Sequence, residues 1–240
     1  MTVPNANIDS HYEQFWKAKT ASRVYPTEFV VRTFLADYPE LSFKKPRPGE
    51  RILDVGMGDG RNAVLLCDLG LEVYGVEITE GIVEHTKKRL SMAGYKADLR
   101  VGRNSRLPFD GAYFDYLLAC HSCYYCDEGE TFADNMREYA RVLKTGAFMI
   151  ASVGDKSSYV LKGAEELADG SSVVRNDPYG NRNGYRLRAF NSTEEIENCL
   201  SPFFENFSIG LAHNNYFGID ERVFWVVCQK RGDLDEVKHG

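Results

Sequence analysis

Three glycines at alternate positions, Gly56, Gly58 and Gly60, interrupt the chain between a short apolar run (Ile52, Leu53, Val55) and a stretch of helical composition, Ala63-Val64-Leu65-Leu66-Cys67. An apolar run of that length reads as a buried parallel strand. Arg51 to Cys67 therefore reads as strand, glycine loop and helix, the opening unit of a nucleotide-binding α/β domain. Glycine is required where the turn is tight and a ligand must meet the backbone directly. Helix N-termini attract anions, which brings a dinucleotide to mind first. The fingerprint G-x-G-x-x-G fails, however, because its third glycine falls on Arg61. Asp54 and Asp59 also bracket the loop with negative charge, which repels a pyrophosphate and suits a ligand carrying positive charge, such as a sulfonium with an α-amino group.

Glu72 to Glu77 reads as the next strand and ends on a carboxylate. An acid roughly 20 residues beyond the loop is placed to take both ribose hydroxyls. With this residue the pattern resembles the class I S-adenosylmethionine-dependent methyltransferases. Their motif D-x-G-x-G-x-G is met by Asp54, Gly56, Gly58 and Gly60, and their ribose-binding acid by Glu77. The resemblance runs from about Gly49 to Arg231. It implies a Rossmann-like α/β fold: a seven-stranded sheet of order 3-2-1-4-5-7-6, the last strand antiparallel, with helices on both faces and an N-terminal helical cap. It further implies S-adenosyl-L-methionine as cofactor, S-adenosyl-L-homocysteine as product, and cofactor contacts from Ile78 and Cys120 besides the motif residues. The competing structural reading is an α/β domain with a vestigial or different nucleotide site.

A chain of 240 residues suits one domain, residues 1–240. It divides into a cap over residues 1–48, a core over 49–232 and an excursion over 155–190. A net charge of −6 gives no electrostatic footprint for nucleic acid or an anionic membrane. No apolar run approaches the roughly 20 residues of a membrane span, and the N-terminus lacks the regions of a signal peptide. Six cysteines scattered through an α/β pattern fit a reducing cytoplasm.

In the cap, one helix carries Tyr12, Phe15 and Trp16, and a second begins near Pro26 with Phe29, Val30, Thr33 and Phe34 at helical spacing. In methyltransferases of this kind the segment before the first strand often folds over the cofactor. That makes Tyr12, Trp16, Arg23 and Tyr25 lid candidates, Tyr25 among the cofactor contacts; Phe15 and Phe29 are read as packing residues. Ile82 to Ser91 reads as a helix with a solvated His85, and Asp98 to Gly102 as the third strand. Arg103 to Phe109 resembles the family's adenine-binding turn with one departure: Arg103 stands where many members place an aspartate. Asn104 and Ser105 are the remaining candidates for the polar contacts. Phe114 to Ala119 reads as the fourth strand, Glu130 to Leu143 as an amphipathic helix, and Ala147 to Ala151 as the fifth strand. The excursion offers a short helix over Tyr159 to Leu167. Thr193 to Cys199 reads as a helix with Ser192 and Glu195 at capping-box spacing. Phe207 to Leu211 and Val223 to Cys228 read as the last two strands.

Ligands sit at the carboxyl ends of strands in such sheets, so chemistry is sought after the fourth strand. His121 is the candidate base, or alternatively a residue that holds backbone or cofactor. Tyr124 and Tyr125 are read as walls of the acceptor site. Arg175, Arg182, Arg186 and Arg188 gather in the excursion; Arg186 and Arg188 are the candidates to clamp a carboxylate or phosphate. His213, after the sixth strand, is a further substrate-side candidate. Cys120, Cys123 and Cys126 repeat as C-x-x-C-x-x-C, but no fourth cysteine followed by proline comes soon after, as a ferredoxin cluster wants, and a structural zinc site usually brings two spaced ligand pairs. No metal is expected; a thiol or metalloid acceptor is the minor alternative. Asn176-Asp177-Pro178-Tyr179 reads as a turn. The reading is methyl transfer to O or N of a small molecule, an anionic group on it being one option, without nucleic-acid or membrane partners. Its rivals are a binding protein without turnover and an NAD-type oxidoreductase.

Overall fold

The computed structural model describes residues 5–19 and 24–232, with side chains of the first helix described from Asp9 on. Arg23, one of the lid candidates, lies outside the described residues.

The parallel core follows the alternation expected of strands buried on both faces. In β1 (Arg51–Val55) and β4 (Phe114–Ala119), Leu53, Phe114 and Leu117 enter one apolar cluster while Ile52, Tyr116 and Leu118 enter the other. α2 (Glu28–Leu35), α3 (Arg61–Asp68) and α4 (Glu80–Met92) cover the second cluster through Phe29, Val30, Phe34, Ala63, Leu66, Val83 and Leu90. α5 (Phe132–Val142) and α6 (Thr193–Leu200) cover the first. Around β1 the order is β3 (Asp98–Val101), β2 (Glu72–Glu77), β1, β4, β5 (Leu143–Asp155), all parallel. β10 (Ile219–Lys230) joins β5 antiparallel and β9 (Phe204–Tyr216) joins β10. Counting only these seven strands, the order is 3-2-1-4-5-7-6 with the last one reversed, as the resemblance implies.

Three differences from the sequence expectation have local causes. The final strands run well past the expected spans, as a polar, exposed hairpin closed by Phe217 and Gly218, both at positive φ, as a two-residue hairpin turn demands. The helix expected over Tyr159 to Leu167 is one 3-10 turn, Tyr159–Leu161, stopped by Gly163 at φ +71°. The excursion instead forms three short strands: β6 (Glu165–Glu166), β7 (Ser171–Val173) and β8 (Arg186–Phe190). β8 has a clear period of two, with Leu187 and Ala189 buried between Arg186 and Arg188. It pairs with the end of β5 through Ala189 and Phe190. In the cap, α1 (Asn5–Lys17) lies against α4. Phe29 stacks on Trp225 of β10, ring centroids 4.0 Å apart, which makes it the packing residue expected of it.

Candidate active site

β1 delivers the chain to the sheet's carboxyl edge, where Gly56, Gly58 and Gly60 take φ of +68°, +57° and +75°. None of the three has room for a side chain; at Gly60 a Cβ would lie 2.9 Å from Cγ2 of the buried Thr86. A Cβ on Gly56 would lie 2.5 Å from that of Ser122, and one on Gly58 would lie 2.5 Å from Cζ2 of Trp16. The loop is thus pressed against the exit of β4 on one side and against α1 on another.

Glu77, at the end of β2, accepts hydrogen bonds from the amides of Gly58 (2.8 Å) and Ile78 (3.0 Å). Burial pushes its pKa up and those two amides hold it down. Asp54 is buried, and burial, then Glu77 and Asp59, push its pKa up to about 8. Its Oδ2 has no hydrogen-bond partner among the described residues. Asp59 differs from the sequence expectation. Its carboxylate is taken by Arg61 (Nε and Nη2 at 3.0 Å) and faces Arg89 at 3.6 Å. Of the two loop acids, Asp54 therefore has the unmatched oxygen that a cationic amino group would satisfy. With a glycine cradle and a ribose-height carboxylate beside it, the residue set fits S-adenosyl-L-methionine.

Other sequence candidates for this ligand are placed differently. Asn104 donates to the carbonyls of Ser122 (2.9 Å) and Tyr125 (3.0 Å), and its oxygen accepts from Tyr139 (2.8 Å). It braces the loop after β4 with both of its side-chain N–H donors. Ser105 lies in the tight turn where Arg103 and Arg106 bridge. Arg103 binds Asp127 (2.9 Å) and Asp9 of α1, so the residue that departs from the family's pattern fastens the cap. Tyr25 is 73% exposed; Trp16, rather than Tyr25, lies on the loop. Cys120 is half-buried near Thr27, Asn62 and Ser152, and burial raises its thiol to about 12.

The segment after β4 is held from several sides. Ser122 donates to the Val55 carbonyl (2.5 Å), and Asn135 of α5 donates to the carbonyls of Cys123 and Tyr125 (3.0 and 2.9 Å). The excursion adds a backbone clip: Arg188 N donates to Tyr124 O (2.8 Å) and Cys126 N to Arg186 O (3.0 Å). His121 is kept at φ +56°, its amide bonded to Ser152 Oγ at 2.6 Å. A non-glycine residue at such a φ is the kind of strain that gathers at functional sites. Its ring meets Trp225 edge to face at 5.6 Å. Burial, then the positive charges of Arg182 and Arg61, hold its pKa at about 4, so the imidazole is neutral at physiological pH.

His121 opens onto a narrow pocket shared with Tyr124, Tyr159, Arg182, Glu221 and Arg222, with about 30 Å³ free. Tyr124 and Tyr125 stack at 5.0 Å. Arg182 donates to the hydroxyls of Tyr125 (3.2 Å) and Tyr159 (3.0 Å). The turn that carries it is built on Asp177, whose carboxylate accepts from the amides of Tyr179, Asn181 and Arg182. Arg182 belonged to the arginine group seen in the sequence, whereas Glu221 and Tyr159 gave no signal, being brought in from distant segments.

The two arginines preferred from the sequence are engaged elsewhere. Arg186 binds Ser171 (2.7 Å) and Asp169, and Arg188 binds Glu195 (2.8 Å) and the carbonyls of Gly170 and Ala189. Arg188 touches the pocket, but its guanidinium is turned to these partners. His213 is exposed on the outer hairpin, bonded to Asp220. The three clustered cysteines do not converge: Cys123 donates to the Ser152 carbonyl and Cys126 to that of Tyr124. Among the described residues no group of three or more His, Cys, Asp or Glu is placed to hold a metal ion, and no helix is long and apolar enough to cross a membrane.

Residues 53–151 match a family described as a methyltransferase domain. Over 119 residues the chain is 27% identical to a protein-L-isoaspartate O-methyltransferase of Cytophaga hutchinsonii, covering 50% of each chain. It is 30% identical over 129 residues to a ubiquinone biosynthesis O-methyltransferase of Maricaulis maris, covering 53% of this chain and 50% of that one. The chain thus spans about half the length of these relatives. Among solved structures, a SAM-dependent methyltransferase of Methanosarcina mazei superposes with a TM-score of 0.64 at 20% identity, covering 78% of this chain and 94% of that one. The fold is the class I Rossmann-like one, and the matching domain together with the site implies S-adenosyl-L-methionine as cofactor.

Proposed function

We propose that this chain, whose residues 53–151 are a methyltransferase domain of the class I fold, transfers a methyl group from S-adenosyl-L-methionine to O or N of a small molecule bearing an anionic group. The observation that carries the substrate half of the reading is Arg182. It lines the pocket at the exit of β4; among the described residues its guanidinium donates to two phenol hydroxyls and pairs with Asp177 at 3.9 Å. A guanidinium so placed offers charge and a planar donor edge to a carboxylate or phosphate. The six free thiols fit a reducing cytoplasm. Neither nucleic acid nor membrane enters as a partner.

When bound, the cofactor supplies an electrophilic methyl group on a sulfonium. Attack by the acceptor's lone pair forms the C–O or C–N bond and breaks the C–S bond, leaving a thioether. The protein's part is placement in a dry pocket. Glu77 would hold the ribose hydroxyls, and Asp54 would take the amino group. His121 presents a neutral imidazole from the β4 exit and accepts the acceptor's proton where one must leave. Arg182 is one of two cations that hold the His121 pKa down, after burial itself. An acceptor anion on Arg182 offsets that charge and strengthens His121 as a base.

The test is turnover with carboxylated phenols, anilines and amines, each beside its neutral ester. Arg182→Ala should raise KM for the acid about tenfold and spare the ester, in line with the loss of a charged hydrogen bond. Equal effects on acid and ester remove the anionic acceptor. No turnover with any acceptor by a protein that binds S-adenosylhomocysteine would favour the binding-protein reading.

A further inference from the structure

The helix α1 touches both halves of the site at once. Trp16 lies against Gly58, the glycine over which a ligand must approach the loop. Tyr12 lies one turn earlier on the same helix face, about 6 Å along the axis. Its hydroxyl donates to that of Tyr125 at 2.9 Å. The Tyr125 hydroxyl also accepts from Arg182 Nε at 3.2 Å, and Arg182 Nη1 is fixed on Tyr159 at 3.0 Å. A hydroxyl oxygen has two lone pairs, so these two bonds fill the accepting capacity of Tyr125. One continuous chain of contacts therefore runs from the glycine loop through Trp16, Phe15, Tyr12, Tyr125 and Arg182 into the pocket.

We infer that α1 is a plug shared by the two sites, and that Tyr125 is the positioning residue through which filling the glycine-loop site opens the acceptor pocket. The inference rests on the cofactor reading above. A ligand lying on Gly58 displaces the indole of Trp16. A helix moves as a unit, so Tyr12 leaves with it and the Tyr12–Tyr125 bond breaks. Tyr125 regains a lone pair and its freedom to turn, and Arg182 is released toward an arriving anion. The plugged form matches this account. Its pocket is narrow, walled by His121, Tyr124, Tyr159 and Arg182. Trp16 Nε1, Asp9 Oδ1 and Asp54 Oδ2 are buried with no hydrogen-bond partner among the described residues. The closed helix thus leaves polar atoms unsatisfied that a polar ligand, or an outward swing of the helix, would relieve. The Asp9–Arg103 pair fastens it to the turn after β3, and Glu13 holds it to Thr79 at the start of α4. The order of binding follows: cofactor first, acceptor second.

The experiment is titration of the full-length chain with S-adenosylhomocysteine, by calorimetry and by the NMR signals of its two indole N–H groups, Trp16 and Trp225. Trp16 reports on the loop, and Trp225 on the acceptor side, where it meets His121. In the wild type both signals should shift on binding. Tyr12→Phe weakens the plug, so it should bind S-adenosylhomocysteine roughly threefold to tenfold tighter, since the apparent affinity rises with the fraction of open protein. Its Trp225 signal, without ligand, should already lie toward the bound position. Asp9→Asn should act in the same direction through a different fastening, which guards against one variant failing to fold. Loss of structure would weaken binding and cannot mimic this result. Weaker binding in two folded variants would make α1 a clamp over bound cofactor and overturn the inference. Unchanged affinity, or a wild-type Trp225 signal that ignores the ligand, would overturn the coupling. If no protein binds S-adenosylhomocysteine, the cofactor reading falls, and the inference with it.

Discussion

The glycine-loop site and the acceptor pocket lie at the same edge of one sheet, yet they are built in opposite ways. The loop site is made from one contiguous stretch, Asp54 to Gly60, plus the end of the adjacent strand at Glu77, and its key contacts are to backbone. The acceptor pocket takes His121 from one segment, Tyr159 and Arg182 from the excursion and Glu221 from β10, and its key contacts are side chain to side chain. A backbone-built site is constrained by where glycine can go. A side-chain-built site tolerates change at each position and is free to serve different acceptors on the same scaffold.

The largest expected effect falls on the backbone-built site. Glu77→Ala removes the acceptor of the Gly58 and Ile78 amides as well as the ribose partner. Affinity for S-adenosylhomocysteine should drop by about 1.5–3 kcal/mol, the range for hydrogen bonds to a charged group. Calorimetry showing unchanged affinity would sever Glu77 from the ligand. The Arg182→Ala shift in KM, about tenfold and confined to acids, is the next largest. It sharpens the contrast if cofactor affinity stays put.

A third expectation concerns protons. Asp54 has its pKa raised to about 8 in the folded chain, by burial first and then by Glu77 and Asp59, from an ordinary 3.8. A raised folded-state pKa means that the folded form holds the proton longer than the unfolded one. The stability this contributes is fully present below about 4 and is lost as pH rises toward about 8. Asp54→Asn should therefore flatten the fall in Tm over that window. A cationic amino group favours the carboxylate, so binding near pH 7 should release a proton, seen as a dependence of the calorimetric heat on the buffer's ionisation enthalpy. A buffer-independent heat would mean that Asp54 does not face the ligand's charge. The smallest effect is expected at His213→Ala. This side chain is exposed and bonded to Asp220 on the outer hairpin, and kcat and KM should stay within error.

This difference in construction explains what the sequence discloses. The strand order, the loop and Glu77 are legible because local patterns encode them: apolar runs, alternate glycines, an acid at a strand end. Arg182 and Arg186 look alike in sequence, four residues apart in one polar excursion. Only the fold shows Arg186 facing Asp169 while the Asp177 turn aims Arg182 at the pocket. β8 has the period of a strand, yet it lay hidden in a segment whose other residues are mostly glycine, serine, asparagine and aspartate. The charge of Asp59 likewise suggested a ligand contact, and two arginines take it up instead. Spacing encodes backbone geometry well; it carries no record of which side chains from remote segments cancel each other.

The central claim is that the glycine loop, with Asp54 and Glu77, takes S-adenosyl-L-methionine rather than a dinucleotide. It is tested most directly by calorimetric titration of the full chain with S-adenosylhomocysteine and, separately, with NAD. The account predicts one-site binding of S-adenosylhomocysteine, weakened by Glu77→Ala, and no heat with NAD. Binding of NAD without S-adenosylhomocysteine would contradict it.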